Sequence, residues 1–508
     1  MRQLTRYFLL AALALGLAGT VLAQDLASFE KRITLKKLDN GLTVIILDRP
    51  EAPVFSFFTH VNAGAAQEKL GITGLAHMGE HMAFKGSENI GTTDYPAEKK
   101  ALARVEEAYQ AYDRARRAQN PDAAKVAQLD KEWKAAIDAA QKYVVPNEFA
   151  KIVDRAGGVG MNAFTNSDET GYFYSLPSNQ VELWAYLESE RFLHPVMREF
   201  YKERDVVTEE RRMRTESQPI GRLIEQFLGV AFIAHPYGRP VVGFSSDLHA
   251  FSATDAKAFF DEYYVPANMV VALVGDVKAA DVMPVITKYF GRLPDKEAPA
   301  PLRTVEPKQT AEREVFLTEK TQPFYVEGYH KGSATSPDAA VYTVIQDLMS
   351  NGRTSRLYRS LVRDKKIAAV AAGFSGFPGE KYLNLFAFFA VPTPGHAPEE
   401  MGKAIHEEIE RLKTEDVPAD ELQAVKTRAK ANLIRQLDSN QGLAIQLATA
   451  QALYGDWREL FRQVDQIDAV TAQDIRRVAS DVFVPSNRTV GEIQSTQMAG
   501  APAKGGSE

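Results

Sequence analysis

His77-Met-Gly-Glu80-His81 sets two imidazoles and a carboxylate within little more than one helical turn. Residues four apart share a helix face, so both rings could reach one divalent cation, with Glu80 placed to reach a water on it. His-x-x-Glu-His is the inverse of the usual order in zinc-binding helices. Two surface histidines on a polar helix would give the same string. A third ligand therefore decides its meaning, because a catalytic zinc site keeps three protein groups and leaves the fourth position to water. Far downstream, Phe200-Tyr-Lys-Glu203-Arg-Asp-Val-Val-Thr-Glu-Glu210-Arg-Arg-Met213 predicts a helix whose apolar stripe runs through Val206, Val207 and Met213, with Glu203 and Glu210 on that stripe. Two carboxylates on a buried face need a partner. Zn2+ held by His77 and His81 supplies one, with Glu210 as the third ligand and Glu203 orienting a histidine. Glu209 points about a quarter-turn away and is the weaker candidate. The same segment also reads as an amphipathic helix with arginine-paired surface glutamates.

The elements that must position these groups come from a repeat. LHAFSATDAKAFFDEYYVPANMVVALVG from Leu248 matches IDAVTAQDIRRVASDVFVPSNRTVGEI from Ile467 without a gap, at a constant offset of 219. Asp255 pairs with Asp474, Val265-Pro266 with Val484-Pro485, and Asn268 with Asn487. Each copy predicts a helix opened by a Ser252 or Thr471 cap, a Val-Pro stop and a β-branched strand. The expected class is α+β, with two homologous halves, 24–291 and 313–494, joined by a proline-rich linker over 292–312. ITLKKLDNGLTVIIL predicts a hairpin about Asn40-Gly41, and FYVEGYHKG from Phe324 is expected to open the second half similarly. Residues 97–148 predict an inserted pair of helices joined at Asn120-Pro121; Val126, Leu129, Trp133, Ile137 and Ala140 form the packed face. That pair is either a gate or partner arm, or a solvated excursion with one packed side.

At 508 residues the chain is long enough for two cores. Arg2 and Arg6, an apolar run from Phe8 to Leu17 and the small residues near Ala23 predict a cleaved export signal over 1–23. The run is shorter than the ~20 residues that span a bilayer, which argues against stable membrane insertion. With no cysteine the chain forms no disulfide, and an exported, cysteine-free protein suits a bacterial periplasm. Losing the two signal arginines takes the formal charge from −6 to −8, which speaks against nucleic acid as a partner. The tail over 495–508 is rich in Gly, Ala and Ser and is expected to be flexible.

Together these motifs resemble the pitrilysin, insulysin and mitochondrial processing peptidase family of inverted-motif zinc peptidases. The resemblance rests on His77-x-x-Glu80-His81, Glu203-x6-Glu210, Gly157-Gly158 followed by Asn162-Ala163-Phe-Thr165 and Asp168-x-Thr170-x-Tyr172, and the two-fold repeat. It implies Glu80 as general base, a substrate-binding edge strand at Asn162 and Ala163, a clam-shell half for each pair of domains, and unfolded peptides as substrates. It also implies an arginine followed seven residues later by a tyrosine, both reaching substrate from across the chamber. Here Arg363 is present, but Val370 stands where the tyrosine belongs. A valine cannot donate to a developing oxyanion. Because bacterial members of the family often work as paired subunits, the expectation is a metal-bearing chain whose homologous partner supplies the Arg/Tyr pair, or a homodimer. A non-catalytic binding or assembly subunit is the second reading.

Overall fold

The computed structural model describes residues 26–496. The expected export signal and residues 497–508 of the expected tail lie outside the described residues.

The fold is α+β, with two mostly antiparallel sheets. The first has strand order β1-β2-β6-β3-β5-β4, from β1 (Ile33–Lys37), β2 (Thr43–Asp48), β3 (Val54–Val61), β4 (Val159–Thr165), β5 (Thr170–Pro177) and β6 (Met269–Gly275). The second has order β7-β11-β8-β10-β9, from β7 (Arg313–Glu319), β8 (Phe324–Lys331), β9 (Ala368–Phe377), β10 (Asn384–Pro392) and β11 (Arg488–Ser495). In each sheet the strand closing the repeat, β6 or β11, runs parallel to one neighbour and antiparallel to the other. The repeat is therefore one of topology as well as sequence. Its helices, Ala253–Tyr263 and Ala472–Val482, both begin with a reciprocal capping box, Ser252 with Asp255 and Thr471 with Asp474.

Asn40-Gly41 closes the β1–β2 hairpin, with Gly41 at φ +90°, where a side chain would be strained and would also meet Ala267. The second half departs from expectation. Phe324 opens β8, but β8 forms no hairpin with β7, because β11 lies between them and pairs with both. Among the described residues that sheet has no counterpart of β1, so the hairpin has no equivalent there.

Strands β2 and β6 are buried on both faces, which explains their unbroken apolar runs. Val44, Ile46, Val271 and Leu273 enter the core beneath the first half's own helices, whereas Ile45, Leu47, Val270, Ala272 and Val274 face the other way. That second face is covered by Leu443, Ala444, Leu447 and Ala448 of the Asn440–Tyr454 helix, which belongs to the second half of the chain. The reciprocal holds: Leu223, Phe227 and Ala231 of the Pro219–Ala231 helix pack with Phe324, Val326, Leu385 and Ile493 of the second sheet. The two halves exchange helices. The proline-rich segment between them lacks regular structure but is pinned, since buried Glu306 accepts the backbone N–H groups of Ile233, Ala234 and His235 at 2.8–3.0 Å.

The inserted pair consists of the helices Tyr95–Arg116 and Ala123–Gln141. Trp133 stacks on Tyr112 and meets Tyr201 edge-on. Arg204 lies over Tyr109, Trp133 and Tyr201 at 4.8–5.7 Å and donates to the Tyr109 hydroxyl and the Phe251 carbonyl. The insertion thus buttresses the Phe200–Arg211 helix, which carries Glu203 and Glu210.

Candidate metal centre

The Leu75–Met82 helix carries His77, Glu80 and His81. Its start is held by carboxylates reaching in from elsewhere. Glu68 accepts the N–H groups of Gly74 and Ala76 at 2.8 and 2.7 Å, which satisfies two of the donors a helix leaves open. Asp247 accepts those of Gly71 and Thr73, and the Thr73 hydroxyl, at 2.8–3.0 Å. Gly74 sits at φ +95°, and a Cβ there would lie 2.7 Å from the Val242 carbonyl oxygen.

The structure brings Glu210 to the two histidines. Its Oε2 lies 3.7 Å from His77 Nε2 and 3.6 Å from His81 Nε2. Ligands about 2.1 Å from a tetrahedral zinc stand roughly 3.4 Å apart, so these separations suit a shared ion better than hydrogen bonds. His77, His81 and Glu210 are the one group of three such side chains converging this way among the described residues. The donor set, two imidazole nitrogens and a carboxylate, fits zinc.

The electrostatics of the two rings differ. Burial, reinforced by the neighbouring His81, lowers His77 to about 4, so its ring is neutral and has a lone pair to offer. Glu203 Oε2 lies 3.3 Å from His81 Nδ1. In the neutral ring that contact places the proton on Nδ1 and leaves Nε2 to face His77 and Glu210. Burial alone would lower His81, but the Glu203 contact together with Glu80 and Glu210 outweighs it and raises the ring. Burial would raise Glu203; His81 and Lys85 overcome it and lower the carboxyl. Lys85 pairs with Glu203 and with Glu199. The second oxygen of Glu210 pairs with exposed Arg214, while Glu209 turns outward to Arg212.

Glu80 lies on the same helix with its carboxyl raised by burial and partly restored by a hydrogen bond from Thr165 at 2.7 Å. Asn162 and Ala163 are on β4, the outer strand of the first sheet, next to a break in the β4–β5 register. Asn162 Oδ1 accepts the Ala163 N–H at 2.9 Å.

One expectation changes. Val206 and Met213 are half exposed, and the buried side of their helix runs through Phe200, Tyr201, Arg204, Val207 and Arg211. Glu203 and Glu210 therefore share a face with Val206 and Met213 as expected, but it is the open side of the helix. Its mixed composition reflects the site, while the core side includes, beside Phe200, Tyr201 and Val207, two arginines, Arg204 and Arg211, that find aromatic and carboxylate partners. Arg363 and Val370 are not brought to the metal residues: Arg363 is exposed and paired with its neighbour Asp364, and Val370 is exposed on β9, the outer strand of the second sheet.

Thr165, Lys85, Glu68 and Asp247 acquire positions here that sequence reasoning did not assign. Thr165 stood in a quoted motif without a role. The capping carboxylates lie too far along the chain from the helix start for a capping pattern to reveal them.

The insulinase (peptidase family M16) model matches residues 43–115, which hold His77, Glu80 and His81, and the peptidase M16 inactive domain model matches residues 250–429. The chain belongs to peptidase family M16. The zinc protease PqqE of Helicobacter pylori is 28% identical over 487 residues, covering 94% of this chain and 96% of its own. The crystal structure of a protease from Helicobacter pylori superposes with a TM-score of 0.76 at 26% identity, covering 91% of this chain and 99% of that one. The periplasmic protease PqqL from Escherichia coli shares the fold, with a TM-score of 0.68 at 17% identity; the match covers 92% of this chain but 48% of PqqL. None of the metal-facing residues falls within the segment matched to the inactive domain. No helix among the described residues is long and apolar enough to cross a membrane.

Proposed function

We propose that this family member is a zinc-dependent endopeptidase, exported to the periplasm, that hydrolyses unfolded peptides. The observation carrying this reading is the convergence of His77 Nε2, His81 Nε2 and Glu210 Oε2 with Glu80 beside them. Zinc held by those three groups would polarise the scissile carbonyl and lower the pKa of a water towards ~7. Glu80 takes the proton from the attacking water and returns it to the leaving amine. Glu203 keeps His81 in the tautomer that ligation needs, and β4 offers Asn162 and Ala163 to a peptide that adds as a further strand. Main-chain pairing of this kind is tolerant of sequence, which suits unfolded substrates.

Val370 supports a division of labour. With Val370 in place of a tyrosine seven residues after Arg363, the chain lacks a donor expected to act on substrate from the opposite wall. A homologous subunit would supply the Arg/Tyr pair, and the match to about half of PqqL fits an assembly of two such units. Val370 also keeps open the second reading, a binding or assembly subunit that has lost turnover, against which the intact His77-x-x-Glu80-His81 motif argues.

Zinc content and cleavage of an unstructured peptide should be measured for the mature chain alone, for the chain mixed with its homologous partner, and for Glu80→Gln. The expected result is one zinc per chain, activity that appears or rises on mixing, and a fall of about a hundredfold or more in Glu80→Gln with zinc retained. Stoichiometric zinc with no cleavage in any mixture would leave the binding role.

A further inference from the structure

Thr165 ends β4, the strand read above as receiving the peptide, and its hydroxyl is 2.7 Å from Glu80 Oε2. The direction of this bond follows from a count of protons. Thr170 Oγ1 lies 3.0 Å from the Ala63 carbonyl oxygen, which can only accept, so the single Thr170 proton is committed there. The Thr165 proton then has two acceptors in reach, Thr170 Oγ1 at 3.3 Å and Glu80 Oε2 at 2.7 Å, and the contact to Glu80 is the shorter. An ionised Glu80 also only accepts, and the Thr165 proton points at it. No donor among the described residues meets Glu80 Oε1.

The turn after Thr165 leaves that hydroxyl little freedom. Asn166 Oδ1 accepts the N–H groups of Asp168 and Glu169, and the Asn166 carbonyl accepts that of Ala65. Asp168, partly buried, accepts the Tyr237 hydroxyl and, from the second half of the chain, the N–H groups of Glu380 and Lys381 at 2.7 and 3.1 Å. The second half thereby locks the turn that aims Thr165.

We infer that Thr165 is the positioning residue for Glu80: its hydroxyl holds Oε2, fixes the carboxylate plane and leaves Oε1 as the atom that takes the proton. This inference rests on Glu80 acting as the base. It makes the strand that binds substrate also the strand that aims the base, so a peptide seated on β4 meets a carboxylate already oriented.

The test compares Thr165→Val, which keeps the shape and removes the donor, with Thr165→Ser, which keeps the donor. With the chain in its active assembly, Thr165→Val should lower kcat about ten- to a hundredfold with KM within about twofold, and Thr165→Ser should restore kcat to within about threefold. Zinc content should be equal in all three proteins. A second readout needs no turnover: with cobalt in place of zinc, the visible absorption bands should shift in Thr165→Val as they do in Glu80→Gln, and stay in place in Thr165→Ser. Wild-type kcat and an unmoved cobalt spectrum in Thr165→Val would overturn the inference, and so would equal damage in both variants. If the wild-type assembly cleaves no peptide, the peptidase reading falls by itself; the cobalt spectra then decide Thr165 alone, and an unmoved Thr165→Val spectrum sinks it.

Discussion

Carboxylates in this molecule diverge according to what meets them. Glu203 has a histidine and a lysine and is held below its ordinary range despite partial burial. Among the described residues Glu492, on β11, has only Gln494 as a donor at 3.4 Å, with Glu399 and Glu314 nearby, and burial pushes it up to about 7. The folded chain thus keeps the Glu492 proton up to about pH 7, whereas an unfolded glutamate releases it near its ordinary 4.5. Between those values the folded state binds more protons, so stability falls as pH rises through the window and is level on either side. Glu492→Gln resembles the protonated form throughout. It should match the parent at pH 4.5 and exceed it at pH 8 by roughly 2 kcal/mol in urea denaturation. A variant no more stable than the parent at pH 8 would show that the buried carboxylate has compensation not accounted for here.

At the scale of the element, the Leu75–Met82 helix is short, and its placement depends on how its first turn is tied down. A helix of 8 residues gains little from its own hydrogen bonds. Glu68 supplies acceptors at its first turn although burial pushes its carboxyl up to about 8, and the hairpin Tyr95–Gln141 braces the helix opposite through Trp133, Tyr201 and Arg204. Removing the cap in Glu68→Ala leaves the Gly74 and Ala76 N–H groups without acceptors in a buried setting. The expected cost is about 1–3 kcal/mol in the metal-free protein, with zinc affinity weakened about tenfold in a chelator competition. Unchanged melting and unchanged zinc affinity would mean that Asp247 alone suffices to hold the loop.

For the whole molecule, the exchanged helices make each half the cover of the other. Without the Asn440–Tyr454 helix, the face formed by Ile45, Leu47, Phe58 and Val270 would meet water; without Pro219–Ala231, so would Phe324, Val326 and Ile493. Apolar area of that kind is worth about 25 cal/mol per Å2, and losing it should abolish independent folding. Fragments 24–312 and 313–496 expressed separately should therefore be insoluble or lack a cooperative melt, and co-expression should yield a soluble pair that melts in one transition. A 24–312 fragment that melts cooperatively alone would show the exchange to be dispensable.

What the amino-acid sequence by itself determined was whatever is decided within a few residues. The Ser252 and Thr471 caps, the Asn40-Gly41 turn and the one-turn spacing of His77 and His81 rest on bonds and geometry three or four residues long. The 219-residue repeat was likewise legible, because two copies of one pattern can be compared without knowing where either lies in space. Tertiary structure alone decided which side of the Phe200–Arg211 helix faces the core, since buried arginines with partners hide that side from a hydrophobicity pattern. It alone decided which helix covers which sheet: β2 and β6 are apolar on both faces, and nothing local names the covering helix. The same holds for Thr165, 85 residues from the carboxylate it touches. A hydrogen bond between distant side chains leaves no periodic trace, and only the folded chain brings its two ends together.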